Sequence, residues 1–311
     1  MAPILNSQQQ PMIMMMQEAS SLDELYEDEE PASIWVKEKD LIRPSTNLMI
    51  LQTLEPGSYK VDYSRDIGCY CVKLNSVSDE LYKFSDSIIT SLSSEISQFW
   101  NKQDLYKQNK LIHKRGILLQ GYPGTGKTSI ISLLCADLIA KGGIVFKISD
   151  VRNLSIYIEF IQSGFRKIQP NTPIITIIED LDGYSDIESE MLDFLDGKNN
   201  IDHHVVIATT NNSEEIPDSF LRPSRFDLIL EIPIPCDDTK REYLKFKNLS
   251  EEDIEKIIPM SKNFSLADLK EFYISVYLLG YSYEDAFEKI TSPKEKKKYT
   301  KFPQRKNSIA I

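Results

Sequence analysis

KRGILLQGYPGTGKTSIISLLCADLIA, residues 114–140, decides the architecture of this chain. Its centre, Gly121 to Thr128, satisfies the pattern G-x-x-x-x-G-K-T. The flanks are those the pattern requires: Ile117, Leu118 and Leu119 read as a buried strand before it, and Lys127 to Ala140 as a helix after it. Gly121, Gly124 and Gly126 permit a tight backbone path that turns N–H groups toward phosphate oxygens, and the following helix adds its positive N-terminal end. The expected cradle comprises Gly121, Tyr122, Pro123, Gly124, Thr125, Gly126, Lys127, Thr128 and Ser129. Lys127 brings a point charge to the β- and γ-phosphates. The Thr128 hydroxyl is the expected Mg²⁺ ligand, because a hard cation prefers oxygen.

Beyond this loop, strand-like and helix-like segments alternate. Ile144–Ser149, Ile174–Ile178, Val205–Thr209 and Leu228–Ile234 read as strands; Val151–Lys167, Ile187–Leu195 and a short stretch near Ser213–Leu221 read as helices. Such alternation predicts an α/β fold with a parallel sheet sandwiched by helices. Residues 237–292 carry only helical patterns, so a small helical lid subdomain is expected after the sheet. Upstream, Leu81, Phe84, Ile88, Leu92, Ile96 and Trp100 recur at helical spacing and lead into the core, expected over 79–236. Apolar stretches around the turn dipeptide Pro56-Gly57 suggest a small β-containing element within 46–78. Residues 1–45, rich in Gln and Met and then acidic from Asp23 to Glu30, read as a flexible arm, and 293–311 as a basic tail.

The second chemical motif is ITIIEDLD, an apolar strand ending in Glu179, Asp180 and Asp182. Strand C-termini face the ligand crevice of such a sheet. A carboxylate there can hold magnesium while its neighbour polarises the water that attacks the γ-phosphate.

Composition narrows the function classes. A formal net charge of -11 over 311 residues disfavours non-specific binding to nucleic acid or to an anionic membrane. Four cysteines, with just Cys69 and Cys71 close together, suggest neither a disulfide framework nor a four-ligand zinc site and fit a reducing, cytoplasmic compartment. The run Met12–Met16 is too short for a membrane span, and three histidines without HExxH make no zinc protease.

From about Arg115 to Leu269 the sequence resembles the AAA subgroup of the AAA+ ATPases, which are Mg-dependent P-loop ATPases. HVVIATTNN is similar to the family's sensor-1 strand, which implies that Asn211 helps to orient the lytic water. LRPSRFD (Leu221 to Asp227) is similar to its LRPGRFD, which makes Arg222 and Arg225 arginine-finger candidates reaching the neighbouring subunit's nucleotide. MLDFLDG (191–197) and NFSLADL (263–269) resemble its LLxxLDG and its lid motif GFSGADL. Ala267 stands where clamp loaders carry a second sensor arginine. The resemblance implies ATP and Mg²⁺ as cofactors, hydrolysis of ATP, a homo-oligomer in the form of a six-membered ring, and a protein client to remodel or assemble. A nucleotide-gated scaffold with little hydrolysis and a nucleic-acid-directed motor or loader remain alternatives.

Three departures from the family pattern stand out. The usual Asp-Glu pair is inverted to Glu179-Asp180, so position gives Glu179 the metal and Asp180 the water, with the assignment left open. This order, and the approach KRGILLQG, are similar to the mitochondrial AAA proteins that assemble respiratory complex III, whose membrane anchor is not seen here. Ser224 replaces the glycine between the two arginines. The stretch DVRNLSIYIEFIQSG has no aromatic-apolar-glycine step with which threading unfoldases grip a chain, and Tyr157 is the candidate stand-in.

Overall fold

The computed structural model describes residues 34–38, 41–45, 52–65, 68–74, 82, 87–148, 150–183, 188–196 and 201–292. Two compact units are present, Met1–Gln52 and Thr53–Ile311. In the first, β1 (Ile34–Glu38) and β2 (Leu41–Ser45) form an antiparallel hairpin with Ile34 opposite Ser45, inside the segment read from sequence as an arm. The remainder of the arm and the basic tail lie outside the described residues.

The second unit is built on a sheet of seven described strands in the order β4-β3-β6-β7-β8-β5-β9. These are β3 (Gly57–Ser64), β4 (Gly68–Lys73), β5 (Lys114–Gln120), β6 (Ile144–Ile148), β7 (Ile174–Ile178), β8 (His204–Thr210) and β9 (Leu228–Glu231). From β3 to β9 every pairing is parallel, and β4 alone turns back antiparallel on β3. The central strands are apolar because both their faces are covered. All five residues of β7 and all seven of β8 are buried. Leu118 and Leu119 of β5, both at 0% exposure, point into the two opposite core layers.

The β element anticipated around Pro56-Gly57 does not stand apart from this sheet. Residues 57–61 of β3 pair in parallel with 144–148 of β6. Just before β3, the Leu54 amide donates to the Gln169 side chain at 2.7 Å, and that amide group returns a bond to the Leu54 carbonyl at 3.2 Å.

Helices α1 (Ser87–Trp100), α2 (Gln103–Gln108) and α3 (Lys127–Ala140) come next, α3 directly after the phosphate loop. Leu92 and Ile96 are buried as their spacing predicts, while Leu81 and Phe84 lie outside the described residues. The helix expected over 151–167 is composite: a 3-10 turn runs into α4 (Leu154–Glu159), a π turn (Phe160–Phe165) and then α5 (Arg166–Ile168). α6 spans Glu188–Leu195.

Two expectations are corrected. Ser213–Leu221 holds a 3-10 turn at Ser213–Glu215 and no α-helix; the Asn212 side chain accepts from the Glu214 amide and so competes with helical pairing. The strand from Leu228 ends at Glu231, because after Ile232 donates to the Gln120 carbonyl at 2.7 Å, Pro233 has no N–H to continue the ladder.

The lid comprises α7 (Asp237–Phe246), α8 (Glu251–Met260), α9 (Leu266–Tyr273) and α10 (Tyr283–Thr291). Ser250, Ser265 and Ser282 each cap a helix by accepting the amide of an Asp three residues on, and at Ser265 the Asp268 carboxylate completes a capping box. Lys240 is 1% exposed and donates to the Ser261 and Lys262 carbonyls at 2.7 and 3.0 Å, closing the C-terminal end of α8.

All three histidines are buried at the N-terminal ends of β5 and β8, the end of the sheet opposite the phosphate loop. His113 Nε2 meets the Phe99 carbonyl at 2.8 Å and must donate to it; its Nδ1 therefore accepts from His203 Nδ1–H at 2.9 Å. Nε2 of His204 bonds to Thr176 at 2.7 Å. Burial pushes all three pKa values down, that of His203 to about 4, with the neighbouring His113 and Arg166 adding to the effect. A depressed histidine pKa means that the unfolded chain takes up protons first. The stability present above about pH 6.5 is thus lost progressively toward pH 4. Chemical unfolding at pH 7.5 and pH 5 should differ by about 2 kcal/mol from His203 alone. Equal unfolding midpoints at the two pH values would contradict this.

Candidate functional site

The register of the parallel strands brings the predicted residues to one edge. Gln120 pairs with Thr210 and Ile178 with Ala208, so the residues that follow each strand emerge together: Gly121 after β5, Glu179 after β7 and Asn211 after β8. Gly124 and Gly126 adopt φ values of 80° and 106°, conformations open to glycine at little cost. The lid closes on this loop. A Cβ on Gly124 would lie 2.7 Å from Ser265 Oγ and 2.8 Å from the Ala267 Cβ, and the Ala267 amide donates to the Gly124 carbonyl at 3.1 Å. From sequence the NFSLADL segment marked only the lid; in the structure it abuts the phosphate loop.

Lys127 is 7% exposed and uses all three of its N–H groups. They point to the Gly121 carbonyl at 2.6 Å, the Tyr122 carbonyl at 3.0 Å and Asn211 Oδ1 at 2.8 Å. Burial lowers its pKa, while Asp180 and Asp182 act against that shift and favour the charged form. The amide nitrogen of Asn211 in turn donates to Asp180 Oδ1 at 2.9 Å. Lys127, Asn211 and Asp180 therefore form one chain of hydrogen bonds across the mouth of the crevice. Pro123, Gly124 and Thr128 are exposed, Tyr122, Gly126 and Ser129 half-buried, and Gly121 and Thr125 buried, with Thr125 Oγ1 donating to the Tyr122 carbonyl at 2.9 Å.

The acidic residues occupy distinct environments. Asp180 sits in the left-handed region with φ of 52°, its amide donating to Thr209 Oγ1 at 3.1 Å. Glu179 is ion-paired with Lys147 of β6. The Asp182 carboxylate accepts from Thr210 Oγ1 at 2.9 Å and from the Asn211 amide at 3.1 Å, so it holds the strand end that carries Asn211. This buttress and Lys147 escaped the sequence reading because both depend on contacts between strands.

Thr128, Glu179 and Asp180 present oxygen donors to a hard cation, and among the described residues no preassembled cage of three or more His, Cys, Asp or Glu exists. That donor set suits Mg²⁺, which takes one or two protein oxygens and completes its shell from phosphate and water. Next to the loop, an apolar cavity of about 290 Å³ is lined by Ile88, Ile130, Leu133, Ile232, Ile234 and Leu266, among others, with the backbone of Gly126 at its edge.

The two arginines behave differently. Arg225 is held within its own chain: Nε and Nη2 grip the Asp196 carboxylate at 2.5 and 2.8 Å, and Nη1 donates to the Ser219 carbonyl at 2.5 Å. Arg222 is exposed, and its side chain makes no hydrogen bond or ion pair among the described residues. Between them Ser224 has φ of 73°, a conformation that accounts for the glycine of the family pattern. Tyr157 is 2% exposed and hydrogen-bonded through its hydroxyl to Thr176. It belongs to the core and grips nothing, which corrects its reading as a pore aromatic.

Residues 117–234 match the family described as "ATPase family associated with various cellular activities (AAA)". Among curated relatives, the proteasome-activating nucleotidase of Methanococcus maripaludis is 25% identical over 226 residues, 63% of this chain and 56% of that protein. That of Aeropyrum pernix is 30% identical over 193 residues, 53% of this chain and 46% of the relative. The ATPase family gene 2 protein of Schizosaccharomyces pombe is 30% identical over 182 residues, 51% of this chain and 22% of its own length. The chain thus spans about half the length of the first two. No helix among the described residues is long and apolar enough to cross a membrane. The phosphate loop, Glu179, Asp180, Asn211 and both arginines thus lie in the segment that is similar to AAA ATPase domains, P-loop units that work with ATP and Mg²⁺.

Proposed function

We propose that the chain is an ATP-hydrolysing ring ATPase that couples turnover to remodelling or assembly of a protein partner. The observation that carries this reading is the hydrogen-bonded chain Lys127–Asn211–Asp180 at the mouth of the phosphate loop, a donor at the start of α3, a polar relay after β8 and a base after β7. The γ-phosphate would draw Lys127 away from the loop carbonyls. Asn211, released at its Oδ1, then shares with Asp180 the task of orienting a water in line with the phosphorus. Thr128 and Glu179 would hold Mg²⁺, which would supply charge neutralisation to the phosphates. The adenine ring would occupy the apolar cavity beside Gly126.

In this reading Arg222, whose side chain has no partner among the described residues, completes a neighbour's site. Such a head-to-tail contact closes into a ring, which we take to have six members. The relatives' names point to protein substrates, and buried Tyr157 favours remodelling over threading. The Glu179-Asp180 order keeps assembly of a respiratory complex as a more specific form of the same function. The four cysteines, all unpaired, suit a cytoplasmic setting.

Asp180→Asn is the discriminating variant. It should lower ATP turnover by about 100-fold or more while nucleotide affinity stays within a few-fold of wild type, the signature of a lost general base. A scaffold gated by binding alone would show no difference in turnover, and that outcome would overturn the enzyme assignment.

A further inference from the structure

Lys147 is a charged side chain at the edge of the site, engaged with Glu179. It stands on β6 in register with Ile177 of β7. Side chains alternate along a strand, so Glu179, two residues beyond Ile177, emerges on the same face, and it is there that the Lys147 ammonium pairs with the Glu179 carboxylate. This face also carries Val145, Ile175 and Ile177 against Ile130 and Leu134 of α3, and is therefore the phosphate-loop side of the sheet. The pair is half-exposed, at 43% and 26% for the two side chains, so exchange of its partner needs no unfolding. The register neighbour of Lys147 on β3, Lys60, is already engaged with Asp62 at 3.1 Å and does not compete for Glu179.

We propose that Lys147 is a positioning residue that occupies Glu179 until the metal arrives, so that it sets the Mg²⁺ concentration at which nucleotide and metal bind together. The inference rests on the P-loop reading above, with Glu179 as a metal-side carboxylate. Physically, one carboxylate cannot serve an ammonium and a divalent cation equally well, and whatever free energy the pair contributes must be given up on loading. A half-exposed pair of this kind weakens metal uptake by a factor of about three to five.

The experiment titrates Mg²⁺ into the full chain with a fluorescent, non-hydrolysable ATP analogue, starting from EDTA. Lys147→Met should lower the half-saturating Mg²⁺ concentration by about three- to fivefold and leave analogue affinity in EDTA unchanged. Lys147→Arg should behave as wild type. Lys60→Met, which removes a nearby charge that does not touch Glu179, should leave the midpoint in place; if it lowers the midpoint equally, a general field effect replaces the latch. Lys147→Gln carries the same expectation as the methionine variant should that one fail to fold. An unchanged or raised Mg²⁺ midpoint in the folded variants overturns the inference while the P-loop reading survives. If wild type binds no analogue at saturating Mg²⁺, the P-loop reading falls and the latch with it.

Discussion

Lys127→Ala should bring ATP turnover down to background, a loss of at least about 100-fold, and weaken nucleotide binding by about tenfold or more. The ammonium is aimed into the loop, and its three donors are spent on two loop carbonyls and Asn211. These are exchangeable partners, because an incoming phosphate oxygen offers an anionic acceptor in place of a neutral one. Alanine removes the charge and also leaves Asn211 Oδ1 without its donor, so the relay to Asp180 loses its anchor. Steady-state phosphate release and analogue binding measured on the same preparation check both halves. Wild-type turnover in the alanine variant would mean that the hydrolysis observed comes from something other than this site.

Gly116→Ala should destabilise the core by about 2–4 kcal/mol, a large effect for one added methyl group. A Cβ at this position would stand 1.9 Å from the Arg225 carbonyl oxygen and 2.9 Å from its carbon, both backbone atoms that cannot swing away. Moving them breaks the bond from the Gly116 amide to Asp227 at 2.9 Å, and with it the carboxylate that also accepts from the Ser224 amide at 3.2 Å. The loop displaced is the one carrying Arg222 and Arg225. Urea unfolding should report the loss of stability, while turnover of whatever remains folded should fall further than nucleotide binding does. Unaltered stability would show that the loop gives way easily and that its position is not held by β5.

The features legible in the sequence are those whose cause is local. GYPGTGKT carries its own backbone requirements and its own charge, and IITII and HVVIATT are continuous apolar runs because a strand covered on both faces has no polar side to show. The capping box of Ser265 and Asp268 is complete within four residues, yet the sequence reading took that stretch only as a lid motif. What was missed lies across the chain. β3 joins the main sheet through pairing between residues 57–61 and 144–148, and nothing within either segment announces the other. Lys147 with Glu179, Asp182 with Thr210, and Ala267 with Gly124 are all neighbours only by register or lid placement. Arg225 was readable as a conspicuous arginine, but its fork on Asp196 depends on where α6 ends. Tyr157 misled because an aromatic in a short helix looks the same whether it faces a pore or a core.

The buried histidines affect how activity itself will be measured. They sit at the opposite end of the sheet from the carboxylates, yet they become costly to keep uncharged as the pH falls below 6.5. A falling limb below pH 6.5 in a rate profile would thus register the loosening of the far end of the molecule as well as any change at the phosphate loop. The two are separable in time: a local change at the site reverses as fast as the buffer is changed, whereas lost structure returns only as fast as the chain refolds.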